Sequence, residues 1–134
     1  PAFSGGGCLS SRDLARFGLL FGRKGHDIHG AAFANQGFLE DTLARNALPM
    51  SPPKDWLKYS NHTMNDGRFL GHAGYGGQFL MVDCENNVSC AFQSVLENEA
   101  GYDDTYMAEV ARVLKSTCAA LSDAPRAFSQ ETRF

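Results

Sequence analysis

The stretch GHAGYGGQF, residues 71–79, sets His72 among four of the chain's fourteen glycines and two aromatics. Backbone this bare suits three roles: a phosphate cradle, a tight turn, or an active-site wall where substrate lies against peptide groups. The cradle fails on order. Gly74-Tyr75-Gly76-Gly77 lacks a third glycine at the fingerprint spacing, and it leads into an apolar run of strand character, not into a helix. No Lys-Ser/Thr follows to make a P-loop. The turn and the wall remain.

Other residues offer chemistry and lose it on inspection. SPPK, Ser51 to Lys54, has the Ser-x-x-Lys form of a nucleophile and its base, which requires serine and lysine one helical turn apart. Two prolines after LPM point instead to an extended or turning segment. YSN, Tyr59 to Asn61, fits the companion Tyr-x-Asn form but lies too close in sequence for motifs on separate elements. His26, His29 and His62 sit in polar, loop-like sequence and read as solvated, and Trp56 reads as packing. Glu40-Asp41 and Asp103-Asp104 are adjacent pairs whose side chains diverge, as helix-start charges do.

The four cysteines, Cys8, Cys84, Cys90 and Cys118, have no Cys-x-x-Cys or Cys/His spacing, so no metal site is expected. They are disulfide candidates with three full pairings open, and Cys84 and Cys90 flank a turn that a bridge can span. Asn61-His62-Thr63 and Asn87-Val88-Ser89 are acceptor triplets for N-glycosylation. Together these favour a secreted protein.

Across 134 residues the chain is 43 % hydrophobic with a formal net charge of −3, a composition that suits one soluble core. There is no basic stripe for nucleic acid and no apolar run approaching the roughly 18–20 residues of a membrane span. The chain opens on Pro1 with neither a basic start nor an apolar signal core, and we read it as a processed chain or a fragment.

Positioning elements follow from periodicity. Ser10 or Ser11 can cap a helix in which Leu14, Phe17, Gly18 and Phe21 share one face, ended by Gly22 and Gly25. A second helix is expected over 37–47, with Phe38, Leu39, Thr42 and Leu43 inward, before Pro49, Pro52 and Pro53 break the chain. The apolar run 79–82 and the stretch 88–96 read as a hairpin around DCENN. Asp103 or Asp104 caps a last helix striped by Tyr106, Met107, Val110, Val113, Leu114 and Thr117. Residues 1–121 form the α+β portion, and 122–134 read as a flexible tail. Two strands bury too little alone, so the antiparallel sheet is expected to take further strands from elsewhere.

GGGCLSSRDLARFG and GHAGYGGQFLMVDCENNVSCAF together resemble the carboxy-terminal part of the serine β-lactamase-like hydrolases. That family includes class C β-lactamases, D-aminopeptidases, carboxylesterases and 6-aminohexanoate-dimer hydrolases. The first stretch is similar to the family's glycine-led Ser-x-Arg-Asp-Leu-Ala-Arg-Phe helix. The second is similar to its third active-site motif, Lys-Thr-Gly or His-x-Gly, here His72-Ala73-Gly74. The resemblance covers residues 5–120, and the last helix fits the family's closing helix.

The resemblance implies the carboxy-terminal part of a β-lactamase-like fold and a covalent acyl-serine mechanism without cofactor. The N–H of Tyr75 would be one of two oxyanion donors, and Ala73, Gly74, Gly76 and Gly77 would let substrate lie against backbone. His72, where many members carry lysine, tilts preference from β-lactams toward a small ester or amide, unless it is a buried histidine holding the loop. The family's Ser-x-x-Lys and Tyr-x-Asn lie upstream of the matched region. The resemblance therefore implies a partner chain bearing the amino-terminal half, and this chain is not active by itself. The alternative is a secreted family member that has lost catalysis and serves in binding or structure.

Overall fold

A computed structural model describes residues 8–44, 47–74, 76–94 and 103–124. Six strands, all antiparallel and ordered as they occur in the chain, form one meandering sheet: β1 Leu48–Pro49, β2 Lys58–Ser60, β3 Thr63–Asn65, β4 Phe69–Gly74, β5 Gln78–Asp83 and β6 Val88–Gln93. Helices α1 (Ser11–Gly22) and α2 (Gln36–Leu43) lie on one face, and α3 (Asp104–Asp123) on the other. The α+β reading holds. The strand count does not: four strands that sequence periodicity did not reveal come from residues 48–74 of this same chain. Strands β1 to β3 are short, and 2–3 residues give period-2 alternation nothing to register.

Short polar residues make each turn. Asn61 and His62 both adopt left-handed φ, 48° and 61°, in the two-residue loop between β2 and β3. The Asp66 carboxylate accepts the N–H groups of Arg68 and Phe69, and the Asp83 carboxylate accepts those of Glu85 and Asn86. Asp83 is fully buried; it also takes Arg68 Nη2 at 2.6 Å and the Ser122 hydroxyl at 2.9 Å. Burial alone would raise its pKa. Arg68, Asn86 and Ser122 outweigh that and hold it well below the usual carboxylate range.

Side-chain alternation splits the core. Phe69, Phe79 and Met81 face α3, where they meet Ala111, Leu114 and Cys118. Leu70, Leu80, Val82 and Cys84 face α1, meeting Leu14 and Phe21. Ser10, not Ser11, caps α1, its hydroxyl accepting the Asp13 N–H. Gly18 sets the approach of α1: a Cβ there would lie 2.1 Å from Ser89 Oγ and 2.9 Å from Leu80 Cδ1.

Three expectations shift at their edges. Helix α2 begins with Asn35 as its cap and ends at Leu43, with Phe38 exposed and Leu39 and Thr42 buried. The buried seam of α3 is Ala108, Ala111, Leu114 and Cys118, while Val113 and Thr117 are exposed. Small alanines let the helix approach the sheet closely, so the seam runs through them, flanked by the larger side chains. Helix α3 also runs to Asp123, so the expected tail boundary at 122 falls inside it.

Candidate functional site

The His72-Ala73-Gly74 stretch ends β4, and its two sides differ. Toward β5 the pairing is continuous, with His72 opposite Leu80, Ala73 opposite Phe79 and Gly74 opposite Gln78. Toward β3 it covers only Leu70 and Gly71, because β3 is short and the chain turns back at Asn61-His62. Among the described residues, the last three positions of β4 therefore have one open side. The Ser94 N–H bonds to Gly77 O across the β5–β6 end. Antiparallel alternation counted from that bond turns the N–H and C=O of His72 and Gly74 toward β5 and those of Ala73 toward the open side. Tyr75, whose N–H was expected to be the oxyanion donor, lies outside the described residues.

The side chain of His72 lies on the α1 face. Beside it is a cavity of about 250 Å³, lined by Leu14, Phe17, Thr63, His72, Gly74 and Gln78 among others. The ring reaches solvent, so the alternative of a buried histidine holding the loop is not what is seen. The protein mass around the ring lowers its pKa below the usual imidazole value, and the neighbouring His62 lowers it further. At neutral pH it is an uncharged donor and acceptor. Gln78 is held by its Nε2 on Ser94 O at 2.9 Å.

The glycines of this stretch have separate reasons. Gly71 has no room, since a Cβ would lie 2.6 Å from Leu80 O. Gly76 and Gly77 lie in the β4–β5 turn at φ of 81° and 89°, and the Gly77 N–H bonds to Gly74 O, so turn geometry alone demands them. Gly74 is different. A Cβ there would meet nothing nearer than 3.4 Å and its φ is not left-handed, so neither packing nor backbone requires glycine. It faces the cavity.

The remaining candidates fall elsewhere. Ser51 to Lys54 is a turn closed by the Lys54 N–H on Ser51 O, and the Lys54 amine pairs with Asp104 on α3. His26 is half-buried, its Nδ1–H on Arg23 O, and not freely solvated as expected. Trp56 packs against the α3 side of the core beneath Arg112 and Lys115. Asn61 and Asn87 are exposed at turns, as a glycan acceptor must be, though Asn61 Nδ2 donates to Thr42 Oγ1. All four cysteines are free thiols here. Cys84 faces α1 and Cys90 faces α3, so the bridge across their hairpin is excluded by the pleat. Among the described residues no group of three or more His, Cys, Asp or Glu is placed to hold a metal, and no helix is long and apolar enough to cross a membrane.

Sequence reading missed Thr63 and His62 as neighbours of the motif, because β3 and its turn gave no periodic signal. Among the described residues the arrangement presents one backbone donor, the Ala73 N–H, on the open side of β4. It supplies no nucleophile paired with a base among the described residues. No family model matches the chain, and no curated protein matches it.

Proposed function

We propose that this chain forms the carboxy-terminal part of a β-lactamase-like serine hydrolase that cleaves a small ester or amide. The observation that carries the reading is the open side of β4 at Ala73, bordered by Gly74 and His72 and opening on an apolar cavity. An acyl group laid along this edge would place its carbonyl oxygen at the Ala73 N–H, a strand-fixed donor that needs no reorganisation, an effect typically of about 3–4 kcal/mol on the barrier. Neutral His72 would hold a polar substrate group without demanding a carboxylate. The serine, its lysine and the tyrosine would come from a second polypeptide segment. That segment would seat on the α1 side, where Phe17, Phe33 and Phe38 are exposed. The strand count no longer supports a partner; the missing nucleophile and this uncovered aromatic side do.

Native material treated with a fluorophosphonate probe tests the reading. An adduct is expected on a serine of an associated chain. Gly74→Ala, whose Cβ would meet nothing nearer than 3.4 Å, should sharply reduce ester hydrolysis while leaving the melting temperature nearly unchanged. Absence of any adduct on any associated chain would overturn the enzyme reading and leave the binding or structural role.

A further inference from the structure

Two of the four thiols meet. Cys90 stands on β6 directly opposite Met81 of β5, with its side chain on the α3 face. Cys118 of α3 is completely buried against β5, its Sγ 3.4 Å from Met81 O, and Cys90 packs against the same core cluster that holds Cys118. The other two are set apart. Cys84 is on the opposite face and its thiol is pushed up to about 12 by burial first and then by nearby carboxylates, while Cys8 is exposed at the start of α1.

We propose that Cys90 and Cys118 are a redox pair that a low-molecular-weight disulfide converts into a bridge fastening α3 to β6. Half-buried Cys90 reacts first. Its thiolate attacks one sulfur of the small disulfide, that S–S bond breaks, and one small thiol leaves with the proton Cys90 gave up. The Cys118 sulfur, on losing its proton to water, then attacks Cys90 Sγ and expels the second small thiol. Two protein thiols are oxidised and one small disulfide is reduced to two thiols. Burial holds Cys118 protonated until Cys90 carries the adduct. The bridge does not involve the β4 edge, so it stands or falls independently of the hydrolase reading.

The test is incubation of the full chain with glutathione disulfide, followed by acid quench, denaturation, alkylation and digestion. Trypsin with a protease cutting after Glu85 separates Cys84 from Cys90. The expected product is a cross-linked peptide pair holding Cys90 and Cys118, with a rise in melting temperature on the order of 10 °C that dithiothreitol reverses. Cys90→Ser should lose the cross-link and the rise together, and Cys118→Ala should stop at a glutathione adduct on Cys90. A lasting adduct on Cys90 in the unaltered chain, with Cys118 still alkylated after denaturation, would overturn the proposal. So would Cys118 bridged to Cys8 or Cys84.

Discussion

The two faces of one sheet are finished to different degrees. On the α3 face, Leu57, Met64, Phe69, Phe79 and Met81 are covered by a 20-residue helix, and Asp83 is tied to it through Ser122. On the α1 face the buried cluster of Leu70, Leu80, Val82 and Cys84 is smaller; a cavity adjoins β4, and Phe33 remains 73 % exposed. The same strands supply both faces, so strand propensity does not make the difference. What differs is the partner: a long helix with an alanine seam lies close along the sheet, whereas a 12-residue helix leaves the end of β4 uncovered. The first face holds the fold. The second has room to receive something.

If that contrast is right, disturbing the α3 face should cost most. Asp83→Ala removes a buried carboxylate and strands several donors, and should lower unfolding free energy by about 3–5 kcal/mol in urea titration. The sign of the pH effect follows from the depressed pKa of Asp83. Its contribution is complete above the unfolded carboxylate value near about 4 and is lost as pH falls toward the folded one, so acid should unfold the chain where Asp83→Asn is already weakened. Leu114→Ala, opening the α3 seam, should cost about 2–4 kcal/mol by thermal melting. Gly18→Ala probes the other face. Its Cβ must displace Ser89 and Leu80, and since α1 can lift into open space the cost should be about 1–2 kcal/mol; a larger loss than for Leu114→Ala would invert the comparison.

The smallest effect belongs to His72. Its lowered pKa means the unfolded chain binds the proton more readily, so its contribution is present at neutral pH and lost as pH falls below about 6.5. Proton-detected titration should give a midpoint below that of an ordinary histidine, with His62→Ala moving it upward. A midpoint at or above the ordinary value would remove the electrostatic distinction of this face.

What could be read in the residues tracks how local the cause is. Ser10 and Asp103 cap their helices as side chains three residues or fewer from the N–H groups they satisfy, and the sequence narrowed each cap to two adjacent residues. The β5–β6 hairpin was legible because Asp83 and Asn87 make its turn and the apolar run fills its strands. Strands β1 to β3 were not, since their pairing is fixed by neighbours and turns and not by any period of their own. Phe17 sits at helical spacing with Leu14, Gly18 and Phe21, yet it is 48 % exposed: spacing places a residue near the buried face and says nothing of how far the covering element extends. For the site, His72 and Gly74 were legible as residues. The open side of β4 was not, because it arises from where β3 begins.

The late start of β3 would have a consequence for selectivity if β4 receives a substrate as proposed. An edge that offers peptide groups reads the direction and planarity of an incoming chain and is blind to the identity of its side chains. On the proposed reading, discrimination would come from what fits between Phe17, Thr63 and Gln78 in the cavity. A protein built this way would accept many scaffolds that share one flat acyl group, and a single substitution in the cavity wall would change its preference without disturbing the strand.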